Sequence, residues 1–212
     1  MKALGIAEVY SFTAALCAAD EAAKAADVKI IAFDRNRPIK EDVPAPLVMA
    51  VKMEGDVSSV RAGVEAASEY AKSKGRYIVS HIIARPGDDT EHMAYLLDIN
   101  RDGFNKKLPK NMKNVQIQTH AENKNAIGIL EVQGLVASIE GLDAMLKAAN
   151  VRLIHTEKRL GGRLVTLVIT GSVSDAGTAV SAGEKFASKL GKVYGCEVIA
   201  RPHDEIMKFF DI

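Results

Sequence analysis

Residues 126–132 read AIGILEV and residues 3–9 read ALGIAEV, so the chain contains nearly the same short apolar run twice. The likeness extends further, because the segment IARP at residues 83–86 returns at residues 199–202. A repeat of this extent predicts two copies of one small domain, since 212 residues divide into two units of about 100 residues. Duplicated domains are typical of symmetric objects whose function lies in interfaces and central openings.

The register of the repeat changes once along the chain. Near the start the copies correspond at an offset of 123, which matches Lys24 with Lys147. From Gly55 onward they correspond at an offset of 116, which matches Gly55 with Gly171. Copy one therefore contains a seven-residue insertion between residues 31 and 55, in a segment that carries three prolines.

The composition excludes several classes of partner. Lys and Arg number 28 and Asp and Glu number 27, so no general attraction to nucleic acid or to an anionic membrane is expected. The two cysteines, Cys17 and Cys196, are not equivalent in the repeat and form no C-x-x-C motif, which favours a reducing compartment. The first residues do not resemble a signal peptide, and we expect a cytoplasmic protein.

The hydrophobic pattern of each copy predicts a strand, a helix, two strands, a second helix, a strand and a short terminal helix. The expected fold class is α+β, with two tandem four-stranded, mainly antiparallel sheets and helices packed on each sheet as a ferredoxin-like sandwich. Ser11 is expected to cap the first helix, and Gly75 and Gly191 to end the second helix of each copy. The first helix of each copy has a matching apolar face, formed by Phe12, Leu16, Ala19 and Ala23 and by Leu135, Ile139, Leu142 and Leu146.

The domain boundaries follow from this pattern. We expect the first domain at residues 1–97, a mildly basic linker at 98–125 and the second domain at 126–212. The linker could be a docking arm for a partner, but a solvated connection is favoured.

The second copy resembles the bacterial microcompartment shell domain. The resemblance lies in Ala126–Val151, Leu164–Leu167 and Ile199–Asp204; the first copy resembles the domain more loosely, and together they cover about 180 of the 212 residues. A chain with two such domains in unpermuted order is similar to tandem-domain shell proteins. That likeness implies a homotrimer that imitates a six-domain hexagonal tile and joins other shell proteins edge to edge around encapsulated enzymes.

The resemblance also implies positions at the edge of the tile. These positions are Lys24, Lys147, Arg85, Arg201, Asn150 and His203. A lysine stem can lie along a flat interface while its ammonium group reaches backbone carbonyls. Spacing alone favours a plainer interpretation, because Asp20 and Asp143 each precede a lysine by four residues and could form a helix-surface ion pair with it.

In the resembled family, the loop between the second and third strands lines a central pore for metabolites. In copy two this loop is Leu160, Gly161, Gly162 and Arg163, and in copy one it begins with Arg37, Pro38, Ile39, Lys40, Glu41 and Asp42. Glycine lets backbone approach a symmetry axis, and Arg163 would add positive charge; an ordinary hairpin turn is the alternative. The copy-one loop is longer, lacks glycine and carries both signs of charge, so we expect it to narrow the opening or to act as a gate. Neither loop contains cysteine, and we expect no iron–sulfur cluster and no other cofactor.

No local pattern indicates catalysis. The five histidines lack ligand spacing, so no metal site is expected, and no nucleophile lies in a motif with a base. Three hypotheses remain: a structural shell protein with a pore, a small-molecule-binding regulatory module built from a duplicated α+β domain, and an enzyme with its site between the copies. The first is preferred, with no enzymatic activity.

Overall fold

The computed structural model describes residues 2–36, 43–87, 90, 125–157 and 160–210. Copy one contains β1 (Ala3–Tyr10), α1 (Phe12–Ala25), β2 (Lys29–Asn36), β3 (Val48–Gly55), α2 (Val57–Ser73) and β4 (Tyr77–Ile83). Copy two contains β5 (Ala126–Gln133), α3 (Leu135–Ala148), β6 (Arg152–Glu157), β7 (Leu164–Gly171), α4 (Val173–Ala187), β8 (Val193–Ile199) and α5 (Asp204–Met207). The predicted order of elements is confirmed, except that a terminal helix of copy one falls outside the described residues.

Each copy forms one four-stranded sheet. The strand orders are β2-β3-β1-β4 and β6-β7-β5-β8, and every neighbouring pair is antiparallel. The registers agree as well, because Glu8 lies opposite Val79 in copy one and Glu131 lies opposite Gly195 in copy two. The α+β prediction with two tandem sheets is confirmed, and residues of the two copies can be compared position by position.

Strand β1 lies close beneath α2, and strand β5 lies close beneath α4. A Cβ on Gly5 would lie 2.6 Å from Val64 Cγ2, and one on Gly128 would lie 2.5 Å from Val180 Cγ2. Such distances leave no room for a side chain. Glycine at these two positions therefore lets α2 and α4 pack directly on β1 and β5.

The start of the first helix differs between the copies. Ser11 has a φ of +83° and its Oγ accepts a hydrogen bond from Ala14 N, which confirms the predicted cap. Its counterpart, Gly134, has a φ of +108° and supplies no side-chain cap. Because residues other than glycine rarely adopt positive φ, Ser11 must be held in place by its surroundings.

The pairing of strands narrows the place of the seven-residue insertion. Asp34 pairs with Ala50 in copy one, and the equivalent Glu157 pairs with Thr166 in copy two. The insertion therefore lies between Asp34 and Ala50 of copy one.

The two first helices bury different amounts of their apolar faces. On α1, Phe12, Leu16, Ala19 and Ala23 are all buried. On α3, the matching Leu135, Ile139 and Leu146 are exposed and Leu142 is half-buried. The apolar face that the two helices share is therefore buried only on α1, because α1 is covered by copy two and nothing among the described residues covers α3 in that way. None of the described helices is long and apolar enough to cross a membrane.

Candidate assembly and pore site

The two copies share a buried junction. The Glu131 carboxylate of β5 is fully buried and accepts hydrogen bonds from Ser11 Oγ at 2.7 Å, Thr13 N at 2.8 Å and Phe12 N at 3.4 Å. A negative charge at a helix N-terminus is favourable, since the first amide groups of a helix lack partners within it. Glu131 of copy two therefore completes the N-terminus of α1 in copy one.

The segment after β8 in copy two also contacts copy one at the junction. His203 N donates to Asp20 Oδ1 at 2.7 Å, and Ile30 N donates to Glu205 Oε2 at 2.6 Å. The rings of Phe33 and Phe209 meet edge to face, with centroids 4.9 Å apart. These contacts place His203, an expected tile-edge residue, at the junction between the copies.

Two cations of copy one also cross to copy two. Lys74 Nζ lies 2.6 Å from Glu197 Oε1, and Arg76 Nη2 donates to Tyr194 O at 2.9 Å. Arg76 Nη1 donates to Pro44 O at 2.7 Å, at the end of the copy-one loop. The groups beside these contacts surround a cleft of about 350 Å³ between the copies.

Neither cysteine is a nucleophile at neutral pH. Burial raises the pKa of the Cys17 thiol to about 12. Burial, together with a hydrogen bond to Glu184, raises the pKa of Cys196 to about 12. Because the thiolate is the reactive form, both side chains act as packing groups.

The expected edge lysines form the ion pairs that their spacing predicts. Lys24 pairs with Asp20, and Lys147 Nζ lies 2.6 Å from Asp143 Oδ2. The hydrogen bond that Lys147 donates to Asp143 raises the pKa of Lys147. The two pairs differ in setting, because Asp20 is buried at the junction whereas Asp143 is exposed.

The structure brings some of the expected edge residues together. Lys24 of copy one and Arg201 of copy two line the same groove of about 420 Å³. Arg85, Lys147 and Asn150 are exposed. The described contacts do not join these three residues to one another, so an edge that uses them would need a neighbouring molecule.

The copy-two loop has an unusual backbone. Gly161, Gly162 and Arg163 all have positive φ, of 84°, 61° and 62°. Gln133 Nε2 donates to Gly162 O at 3.0 Å, and Gly134 N donates to Arg163 O at 2.8 Å. The positive φ of Arg163 could not be foreseen, because glycine alone signals that conformation in a sequence.

Gly162 of the copy-two loop lies near Pro46, at the end of the copy-one loop. A Cβ on Gly162 would lie 3.8 Å from Pro46 Cγ of the copy-one loop. Gly162 and Arg163 are exposed, whereas Leu160 is buried in the core shared by the copies and cannot line an opening. The copy-one positions Arg37, Pro38, Ile39, Lys40, Glu41 and Asp42 lie outside the described residues.

No group of three or more His, Cys, Asp or Glu side chains could hold a metal ion in the part of the chain that the structure describes.

Comparison with known proteins assigns both copies to one family. The family model of the BMC domain, the bacterial microcompartment domain, matches residues 3–86 and 126–202. The chain belongs to the BMC domain family. The resemblance that the sequence motifs indicated is thus confirmed, and both halves of the tandem arrangement are BMC domains.

The relatives of this BMC protein include a protein that matches nearly the whole chain and a protein that matches a single domain. The carboxysome assembly protein CcmO of Synechococcus elongatus is 32% identical over 205 residues, which cover 97% of this chain and 67% of CcmO. The bacterial microcompartment shell protein EutM of Salmonella typhimurium is 41% identical over 87 residues, which cover 41% of this chain and 90% of EutM. The crystal structure of a microcompartment protein from Desulfitobacterium hafniense is 23% identical and covers 98% of this chain and 99% of that one, with a TM-score of 0.38.

Proposed function

We propose that three copies of this chain form one pseudohexagonal tile that paves a facet of a bacterial microcompartment shell in the cytoplasm. As a member of the BMC family the chain is a structural shell protein and not an enzyme. The observation that carries the trimer is the buried junction between two BMC domains of one chain, centred on Glu131. Three such pairs arranged head to tail supply the six domains of a closed ring.

In this proposal the paired loops surround the central opening. Gly161, Gly162 and Arg163 line it from copy two, and the longer copy-one loop with Arg37–Asp42 narrows or gates it. Exposed Arg163 favours anionic or polar metabolites over cations. The closeness of Gly162 to Pro46 supports this arrangement, because Pro46 lies at the end of the copy-one loop.

The tile edge is proposed to contain Lys24, Lys147, Arg85, Arg201 and Asn150, with His203 nearby at the junction. Its partners are other shell proteins edge to edge, with enzymes enclosed behind the facet; neither nucleic acid nor membrane is a partner. The proposed domains remain residues 1–97 and 126–212, joined by the linker at 98–125.

Assembly measured against concentration tests this function. We expect light scattering to give the mass of a trimer at low concentration, and electron microscopy to reveal flat sheets or tubes at high concentration. A protein that stays a monomer or dimer at all concentrations would overturn the proposal. A regulatory module would instead gain thermal stability from a small ligand without forming sheets.

A further inference from the structure

The cleft between the two copies is lined by charged and hydroxyl groups from both of them. Its volume of about 350 Å³ lies at the small end of the range of about 300–1,000 Å³ that is typical of small-molecule sites. Copy one contributes Thr13, Lys74 and Arg76, and copy two contributes Glu184 and Glu197. A cleft of this size and polarity suits a small, charged metabolite.

Two of the charged groups in the cleft neutralise each other. Lys74 Nζ lies 2.6 Å from Glu197 Oε1, and both side chains are partly exposed. The other two charges that line the cleft are Arg76 and Glu184. A ligand therefore meets one positive and one negative group that this ion pair does not neutralise.

Arg76 carries a positive charge that its own contacts leave in place. Its guanidinium donates to Pro44 O at 2.7 Å and to Tyr194 O at 2.9 Å, and both acceptors are neutral carbonyl groups. These two bonds fix the guanidinium at the cleft, while further N–H groups can still bind an acceptor. A planar guanidinium held in this way matches a carboxylate, which it can bind through two parallel hydrogen bonds.

Glu184 supplies the opposite charge from the wall that copy two forms. Among the described residues its side chain is joined only to the thiol of Cys196, whose Sγ lies 3.4 Å from Glu184 Oε2. That thiol is neutral, because its pKa is raised to about 12. The Glu184 side chain is exposed, so its carboxylate can accept hydrogen bonds from an ammonium group.

Thr13 adds a buried hydroxyl that has no hydrogen-bond partner among the described residues. The residue is 2% exposed and lines the cleft at the first turn of α1. A buried polar group without a partner is unfavourable, and in folded proteins such groups are rare. A polar ligand in the cleft supplies the missing partner.

We propose that this cleft binds a small aminocarboxylic acid, with the ligand carboxylate on Arg76 and Thr13 and the ligand ammonium group on Glu184. The ligand then joins copy one to copy two. This site goes beyond the tile proposed above and does not depend on it, because every group that forms the site belongs to one chain.

The charges of the cleft disfavour ligands that carry one charge only. A simple anion would meet Arg76 but would also face the negative Glu184. A simple cation would meet Glu184 but would also face the positive Arg76. Only a ligand with both charges satisfies both walls, so the cleft selects against ions of either sign.

The repeat indicates that this cleft is not a general property of the domain. Its polar and charged groups are mostly replaced at the equivalent positions of the other copy. Thr13, Tyr70, Lys74 and Glu184 correspond to Val136, Phe186, Leu190 and Ser68. Those equivalents offer neither the threonine hydroxyl nor the acidic group, so we expect one site in each chain.

A series of amino acids with increasing separation between their charges tests the site: glycine, β-alanine, γ-aminobutyrate and ε-aminocaproate. Thermal unfolding and titration calorimetry of the full chain measure binding at protein concentrations below those that give sheets. At about five times its Kd, the best member should raise Tm by about 2–4 °C. Propionate and propylamine, with one charge each, should bind about tenfold more weakly or less. No rise in Tm with any member, or equal affinity for a ligand with one charge, would overturn the proposal.

Substitutions of the acidic group locate the ammonium end of the ligand. Glu184→Gln keeps the shape of the side chain, removes its charge and should weaken Kd by about tenfold or more. The matched control, Glu65→Gln on the exposed surface of α2, should leave Kd unchanged. Glu184→Lys should reverse the preference, so that succinate, which has two carboxylates, binds more tightly than any amino acid of the series. Equal Kd values for the wild type and Glu184→Gln would overturn the site.

Thr13→Val separates binding from stability, because it keeps the shape of the side chain and removes the hydroxyl. That hydroxyl has no partner among the described residues, so the free energy of unfolding without ligand should not fall. The Kd should rise by about threefold to tenfold. Lower stability with an unchanged Kd would show that the hydroxyl serves the fold, and would refute its part in binding.

Failure of this site and failure of the tile are distinguishable. A chain that forms trimers and sheets but binds no member of the series keeps the tile and loses the site. A chain that binds an amino acid in these measurements but stays a monomer at all concentrations keeps the site and loses the tile.

Discussion

Ser11 and Glu131 lie 120 residues apart in the chain, and the Ser11 hydroxyl donates a 2.7 Å hydrogen bond to the Glu131 carboxylate. This bond holds a residue of positive φ at the start of α1 and joins copy one to copy two. The two BMC domains therefore meet through a buried charge whose partners all belong to the other domain.

Glu131→Gln is expected to destabilise the chain by about 1–3 kcal/mol, because a neutral amide has one acceptor oxygen for three donors and leaves buried groups unsatisfied. The free energy of unfolding in urea measures the effect, at concentrations too low for assembly. Glu65→Gln, on the exposed surface of α2, is the control and should change stability by less than about 0.5 kcal/mol. Equal effects of the two variants would contradict the role given to Glu131.

Asp20 and Asp143 occupy equivalent positions but should respond differently to substitution. Asp20→Ala removes the acceptor for His203 N at the buried junction and should cost about 1–3 kcal/mol. Asp143→Ala removes only an exposed ion pair with Lys147, worth about 0.3–0.5 kcal/mol. Thermal unfolding of the two variants under identical conditions compares them directly, and a larger loss for Asp143→Ala would show that the junction is wrongly assigned.

Gly195→Ala should force the two copies apart. The new Cβ would lie 2.4 Å from Thr13 Oγ1, and overpacking of this kind costs about 1–3 kcal/mol. Gly177→Ala on α4 is the matched control, because a Cβ there meets no atom within 4 Å and should stabilise the helix by about 0.5–1 kcal/mol. Chemical unfolding gives both values, and opposite signs are the expected result.

The thiols should resist thiol–disulfide exchange in the folded chain. With pKa values raised to about 12, Cys17 and Cys196 are thiolates only above neutral pH, and at pH 8 about one molecule in ten thousand carries either anion. A coloured disulfide reagent should react slowly with the native protein and rapidly after unfolding. A cysteine introduced at exposed Val173 is the positive control; rapid reaction of the wild-type protein would contradict the raised pKa values of the two thiols.

Truncation of the proposed edge lysines should separate sheet formation from trimer formation. Lys24→Ala with Lys147→Ala removes the ammonium groups from the edge without adding repulsion, so trimers should persist while sheets disappear at concentrations where the wild type forms them. Lys185→Ala, on an exposed part of α4, should leave sheets intact. Electron microscopy and light scattering make the two measurements, and unchanged sheets in the double variant would refute the edge assignment.

The repeat made much of the fold predictable from sequence, since each apolar run and each turn signal occurs twice and supports the other. The exposure of the apolar face of α3 in the single chain was not predictable. Leu135 and Ile139 have the same helical spacing whether the face packs against its own domain or against a neighbour. The recurrence of Glu8 and Glu131 was visible, but duplication alone accounts for it. Only the contact with Ser11 reveals that this carboxylate joins domains.

The candidate site was predictable to a smaller extent. The glycine pair at 161–162 correctly indicated a tight loop, whereas the positive φ of Arg163 has no signature in the sequence. His203 was expected at the tile edge and binds Asp20 through its backbone amide, a group that no side-chain pattern could indicate.

The closeness of Gly162 to Pro46 has an evolutionary consequence. A duplicated gene normally frees one copy to diverge while the other keeps the ancestral role, but here a side chain at residue 162 would meet Pro46 at van der Waals distance, so the residue at one position limits the size of the residue at the other. Selection on what passes through the opening therefore acts on both halves of the gene at once, and we expect residues 46 and 162 to vary together among orthologues.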